Sequence, residues 1–118
     1  MGSKIALVQH PPVLGNRSET IEKAASLIEE AARAEARLVV LPEAFVPGYP
    51  TYIWRLKPGG DMALSSEIHA LMLDNAVSLD GTHLKPLQNI AKHAGKQLVH
   101  PPLGRDCQDV FQTKALAK

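Results

Sequence analysis

The sequence predicts an α/β fold built on a parallel sheet. Two unbroken apolar runs, at residues 5–8 and 38–41, are typical of strands that are buried on both faces. A helical pattern of apolar residues separates these runs, and a third strand, Lys96-Gln97-Leu98-Val99, is predicted after a second helical region. Because strand, helix and strand in this order form a right-handed βαβ unit, we expect strands near 5–9, 38–42 and 96–99 to lie side by side.

The first strand ends at His10, where a Pro-Pro pair follows. His10 is interpreted as a histidine in the loop after the strand; the alternative is a metal ligand, but no second ligand stands at a suitable spacing in the sequence. Asn16 with Glu19 three residues later resembles a capping box, so a helix is predicted to begin here and to run to about Ala36. Its apolar positions share one face: Ile21, Ala24, Ala25, Ile28, Ala31 and Ala32.

The second strand ends at Pro42, because proline has no N–H to give to a central sheet ladder. Glu43 follows at once, at the carboxyl end of the strand, where open α/β sheets bind ligands. Gly48 and Pro50 belong to a stiff loop after it. The apolar residues before Glu43 and this loop predict that Glu43 is buried, which suits a general base. From position alone, a solvated loop acid or a helix-capping acid is the alternative.

Two further helices are predicted before the third strand. The first has Asp61 or Ser65 as a possible cap, with His69 off the apolar stripe and therefore at the surface. Its apolar stripe consists of Leu64, Ile68, Leu71 and Met72. The second has Pro86 in its first turn and Gly95 directly after its end. Its apolar face consists of Leu84, Leu87, Ile90, Ala91 and Ala94.

Length and composition favour one globular domain of 118 residues, of which 45% are hydrophobic and 21% charged. The net charge is +1 and no basic run stands out, so no nucleic-acid partner is expected. The single cysteine excludes an internal disulfide and fits a reducing compartment. Since no apolar stretch has the length of a membrane span or a signal core, the sequence predicts a cytoplasmic protein without a membrane partner.

The segment Leu-Pro-Glu-Ala-Phe-Val-Pro-Gly-Tyr-Pro at 41–50 resembles the catalytic-glutamate motif of the nitrilase superfamily of carbon–nitrogen hydrolases. Its extension to Trp54 is more similar to nitrilases than to the amidase branches. The resemblance covers roughly residues 4–99. It implies the N-terminal portion of a nitrilase-like αββα sandwich, incomplete in this chain, and hydrolysis of a small-molecule nitrile to a carboxylic acid and ammonia.

The resemblance also implies roles for particular residues and partners. Glu43 is the expected catalytic base, and no metal or organic cofactor is expected. Tyr49, Tyr52 and Trp54 are expected to line an apolar substrate pocket; the alternative is that the aromatic residues pack the loop onto the domain or fill a subunit interface. Because the resemblance leaves one sheet face uncovered, the chain is expected to self-associate or to form a homo-oligomer.

The pattern changes after Val99, where the apolar periodicity ends. Residues 1–99 are therefore interpreted as the N-terminal part of the hydrolase domain, and 100–118 as a divergent tail or the product of a truncated or frame-shifted reading frame. Cys107 and Lys114 lie in this tail in contexts unlike those of the family's catalytic cysteine and lysine. The chain is accordingly expected to be an incomplete, inactive fragment.

Two other classes of protein are alternatives to a hydrolase fragment. The first is a non-catalytic α/β interaction module. A flavodoxin-like binding domain would need a phosphate-binding loop after the first strand, where residues 10–15 offer only Gly15.

Overall fold

The computed structural model describes residues 2–78 and 82–95 in full, together with the backbone of residues 97–99. It contains three parallel strands: β1 (Ile5–Leu7), β2 (Leu38–Val40) and β3 (Gln97–Val99). They form one sheet in the order β1-β2-β3, so that β2 is central. The predicted α/β fold with adjacent parallel strands is confirmed, although β1 and β2 are shorter than predicted.

Helix α1 (Arg17–Arg33) begins directly after Asn16, at the position that the capping pair Asn16 and Glu19 predicts. The Asn16 side chain accepts a hydrogen bond of 3.0 Å from the Glu19 amide, which satisfies one of the free N–H groups of the first turn. The helix ends before Ala36 because Glu35 adopts a left-handed conformation, with φ 62°. The residues of α1 that are buried are Thr20, Ile21, Ala24, Ile28 and Ala31.

The other helices are α2 (Met62–Asp74) and α3 (Lys85–His93), and a 3₁₀ turn spans Thr51–Trp54. Gly95 has φ 61° after the end of α3, as predicted for the residue that follows a helix C-terminus. α1 and α3 contact each other, and the core cluster includes residues of both helices and of β2. By contrast, no residue of α2 is buried, although the sequence predicts an apolar stripe there.

The two faces of the sheet have different surroundings. Neighbouring residues of a strand point to opposite faces, so Ala6 and its register partner Val39 share the face that packs on the core. On the opposite face Ile5 is 55% exposed and Leu7 is 71% exposed. The prediction that β1 is buried on both faces is therefore wrong for the described residues, in which only one face is covered.

The remaining predictions on the fold have mixed outcomes. His69 is exposed on α2, as predicted. No helix in residues 2–78 and 82–95 is long and apolar enough to cross a membrane. The predictions for residues 100–118, which include Cys107 and Lys114, lie outside the described residues.

Candidate functional site

Glu43 lies at the carboxyl edge of the sheet, three residues after Val40 ends the central strand. The carboxyl ends of parallel strands meet at this edge, which is where α/β sheets bind ligands. The Glu43 side chain is exposed, so the prediction that it is buried is wrong for the described residues. The physical reason is local: the chain turns so that Leu41, 1% exposed, and Phe45, 1% exposed, fill the core while Glu43 points to solvent.

The turn that carries Glu43 is held at several points. The Gly48 amide donates a hydrogen bond of 2.9 Å to the Ala44 carbonyl oxygen, which closes the turn. Phe45 and Val46, between these two residues, are both in the core cluster. Ala44 has φ 53°, a left-handed conformation that costs a non-glycine residue about 1–2 kcal/mol. Such a conformation persists only where the surrounding contacts enforce it, so the backbone next to Glu43 is rigidly determined.

A second segment, residues 12–16, packs against this turn. Gly48 has φ 89°, and a Cβ placed on it would lie 2.7 Å from Leu14 Cδ2. The chain direction of the 12–16 segment is set by Thr20, a fully buried residue of α1. The Thr20 hydroxyl accepts a hydrogen bond of 3.1 Å from the Val13 amide, and it lies 2.9 Å from the carbonyl oxygens of Val13 and Asn16. The loop after β1 thereby supports the loop after β2.

The aromatic residues that follow the turn form an exposed pair. The rings of Tyr49 and Trp54 are stacked, with centroids 6.0 Å apart and planes inclined by 13°. Tyr49 is 49% exposed and Trp54 is 71% exposed, so a large part of the apolar surface of the pair faces solvent. The structure does not bring Tyr52 into this stack; Tyr52 is half-buried and its carbonyl oxygen accepts hydrogen bonds from the Arg55 and Leu56 amides.

His10 belongs to a different place from the Glu43 turn. A groove of about 440 Å³ lies between β1 and the C-terminal half of α1, and His10 and Glu30 are among its lining residues, whereas Glu43 is not. His10 is exposed, in agreement with a loop histidine. Within the ranges that the structure describes, no three histidine, cysteine, aspartate or glutamate side chains are grouped so that they could hold a metal ion.

Three supporting residues were not identified from the sequence as parts of the site. Ala44 gives no signal, because alanine is not a residue type that favours positive φ. Leu14 lies in a loop and resembles any other apolar residue there. Thr20 gives a weak signal: a threonine in the first turns of a helix is able to bond the preceding loop, but its partners cannot be read from one sequence.

Comparison with known proteins adds independent observations on this region. A family model described as carbon-nitrogen hydrolase matches residues 4–114. The match includes Glu43 and continues past Val99, so it favours a continuation of the domain there; the boundary at residue 99 stays a prediction.

Among curated proteins, the chain is similar to nitrilases. It is 34% identical over 112 residues to an aliphatic nitrilase of Rhodococcus rhodochrous, covering 94% of this chain and 30% of that protein. It is 33% identical over 96 residues to a nitrilase of Pseudomonas syringae, covering 81% of this chain and 27% of that protein. A nitrilase of Meyerozyma guilliermondii is 51% identical over 51 residues, 43% of this chain and 16% of that protein. The chain thus spans less than a third of the length of each of these relatives.

Proposed function

This chain belongs to the carbon–nitrogen hydrolase family, and we propose that it supplies the glutamate of a nitrilase-type active site, which converts a nitrile into a carboxylic acid and ammonia. The observation that carries the proposal is the position of Glu43, exposed on a rigid turn directly after the central strand and within the segment that matches the family. The similarity to nitrilases supports the nitrile as the substrate class.

In the mechanism that the family resemblance implies, a cysteine thiolate attacks the nitrile carbon and a covalent thioimidate forms. Glu43 accepts the thiol proton, and this proton is passed to the nitrile nitrogen as the C≡N bond becomes a C=N bond. A first water then adds to the carbon and ammonia leaves, and a second water releases the acid and regenerates the thiol. Glu43 takes the proton from the attacking water, which is general base catalysis.

The proposal assigns a catalytic role to Glu43 alone. A lysine stabilises the developing charge in the implied mechanism, in addition to the cysteine nucleophile. Cys107 and Lys114 of this chain lie outside the described residues, and their sequence contexts give no reason to assign them these roles. No metal or organic cofactor takes part in the proposed steps.

The aromatic pair suggests the kind of nitrile that the site accepts. Tyr49 and Trp54 offer an open, stacked apolar surface just after the Glu43 turn. Apolar and aromatic groups favour such surfaces, since the removal of apolar area from water contributes about 25 cal/mol per Å². We therefore propose that this pair contacts the hydrocarbon part of the nitrile, with Tyr52 at its border.

Self-association is a further part of the proposal. Ile5 and Leu7 expose an apolar face of the sheet, and large exposed apolar patches mark interaction surfaces. Burial of one such side chain contributes roughly 1.5–3 kcal/mol. We therefore propose that this face is covered by protein in the functional enzyme, with a homo-oligomer as the expected assembly.

The proposed role of Glu43 is tested in a chimera that joins residues 1–99 to the remaining part of the Rhodococcus rhodochrous aliphatic nitrilase. Ammonia release from simple nitriles is measured. Glu43→Gln keeps the size of the side chain and removes the base, so turnover is expected to fall by about a hundredfold or more. Glu22→Gln, which changes an exposed glutamate of α1 in the same way, is the matched control and is expected to keep full turnover.

Two results would contradict the proposal. Full activity of the Glu43→Gln chimera would make Glu43 an ordinary loop acid. Nitrile hydrolysis by the 118-residue chain that is lost in Cys107→Ala would identify Cys107 as the nucleophile, against the assignment of a catalytic role to Glu43 alone.

The second candidate function is a non-catalytic interaction module. The observation that favours it is the exposed apolar surface of the sheet and of α2, where Met62 is 65% exposed and Leu71 is 49% exposed. A folded chimera without any nitrile hydrolysis would favour this alternative over the enzyme.

A further inference from the structure

We propose that Thr20 and Leu14 are positioning residues that hold the turn carrying Glu43. The loop after β1 packs against the loop after β2 through Leu14 and Gly48. The buried Thr20 hydroxyl of α1 holds the loop after β1 by hydrogen bonds to its backbone. The consequence for catalysis rests on the proposed role of Glu43, whereas the mechanical link itself does not depend on that role.

The first step of the link is the Thr20 hydroxyl. It is fully buried, and it bonds the amide of Val13 while its own hydrogen is shared with the nearby carbonyl oxygens of Val13 and Asn16. The Asn16 amide also donates to the Val13 carbonyl oxygen, at 3.1 Å, and so closes a tight turn over residues 13–16. A buried side chain that satisfies loop backbone groups fixes the loop, because leaving those groups unpaired is costly.

The second step is the contact of Leu14 with Gly48. Leu14 is 75% exposed, so general burial in the core does not explain its orientation. Its Cδ2 atom occupies the space that a Cβ of residue 48 would need, which shows that the two backbone segments approach closely there. Leu14 projects from the turn that Thr20 fixes, so the position of its side chain follows from that turn.

The third step transmits the contact to Glu43. The Gly48 amide bonds the Ala44 carbonyl oxygen, and Ala44 directly follows Glu43 in a left-handed conformation. When Leu14 no longer covers Gly48, the hydrogen bond that closes the turn becomes accessible to water. The turn then opens more often, and the carboxylate of Glu43 samples a wider range of positions.

The test measures hydrogen exchange of the Gly48 amide, resolved by NMR, in the 118-residue chain. Leu14→Ala and Thr20→Val are each expected to raise the exchange rate about tenfold, the factor that corresponds to losing the contribution of one hydrogen bond. Thr20→Ser restores the hydroxyl and is expected to return the rate close to that of the original chain. Leu73→Ala makes the same change at a leucine of α2 that is 43% exposed, and it is the control that should leave the rate unchanged.

A spectroscopic readout follows the same turn. Trp54 is the only tryptophan of the chain and stacks on Tyr49, so its fluorescence reports on the loop that continues from Gly48. In Leu14→Ala and Thr20→Val the emission is expected to shift and its anisotropy to fall, and Thr20→Ser is expected to reverse both changes.

The amide of Ala24 in the middle of α1 distinguishes a positioning role from a general loss of stability. The proposal requires that Gly48 exchange faster while Ala24 keeps its protection. It is overturned when both amides change by the same factor, or when Gly48 is unchanged in Leu14→Ala. Neither readout uses activity, so an inactive Glu43 would refute the proposed function and leave this inference standing.

Discussion

Gly48→Ala is expected to destabilise the chain by more than a left-handed backbone alone explains. Gly48 has φ 89°, and the new Cβ would lie 2.7 Å from Leu14 Cδ2, a distance that real contacts do not reach. Gly59 provides a matched comparison, because it has φ 75° and a Cβ added to it would have no heavy atom within 4 Å. Gly59→Ala therefore has the free-energy cost of placing alanine in a left-handed conformation, but it creates no close contact such as the one between residue 48 and Leu14.

The magnitude follows from these two components. A left-handed conformation costs alanine about 1–2 kcal/mol, and the lower entropy of the unfolded chain returns roughly 0.4–1 kcal/mol. Gly59→Ala should thus lose about 1 kcal/mol. In Gly48→Ala the exposed Leu14 must also leave its rotamer, at roughly 0.5–1.5 kcal/mol. The expected total for Gly48→Ala is about 2 kcal/mol.

Urea denaturation followed by far-ultraviolet circular dichroism measures both variants in the 118-residue chain. The double variant Gly48→Ala/Leu14→Ala removes the obstructing side chain, and it should lose less free energy of unfolding than the sum of the two single changes. Equal losses for Gly48→Ala and Gly59→Ala would refute the reasoning, because the contact between Leu14 and residue 48 would then have no energetic weight.

Two further predictions concern the helix start and the open sheet face. Asn16→Ala removes the acceptor for the Glu19 amide and should lower the free energy of unfolding by about 1 kcal/mol, whereas Ser18→Ala, a change at an exposed position of the same turn, should have little effect in the same urea titration. Leu7→Lys should reduce self-association of the 118-residue chain and its binding of a hydrophobic dye, measured by light scattering and fluorescence, while Gln9→Lys adds the same charge at an exposed position beyond β1 and should change neither.

The elements that depend on local chemistry were predicted from the sequence. The start of α1 follows from the Asn16 side chain, and the end of α3 follows from Gly95, because both effects act within a few residues. That the three strands lie side by side was predicted from the βαβ pattern, whereas their order β1-β2-β3 was not. Helix α1 ends earlier than predicted because Glu35 adopts a left-handed conformation, which is unusual for glutamate. The neighbouring residues in the sequence do not predict this conformation.

The surroundings of each element were harder to predict, because they depend on distant parts of the chain. The apolar stripe of α2 predicts a buried face, yet Leu64 remains 47% exposed and Leu71 49% exposed. An apolar run likewise predicts two covered faces for β1, and one of them is open. Sequence periodicity identifies which residues would be buried against a partner; it does not identify whether the described residues contain that partner.

The exposure of Glu43 separates two requirements of a catalytic carboxylate, namely orientation of the group and exclusion of water from it. Orientation comes from nearby contacts: the buried Phe45 and Val46, the hydrogen bond from Gly48 to Ala44, and the leucine above Gly48. Exclusion of water needs additional surface around the side chain. The described residues orient the Glu43 side chain but do not shield it from water. Under the proposed function, we therefore expect Glu43 to be held in position already when the rest of the active site encloses it. If Glu43 has the proposed role, the turn would contribute to catalysis through its rigidity, because a group held in position lowers the entropic part of the barrier.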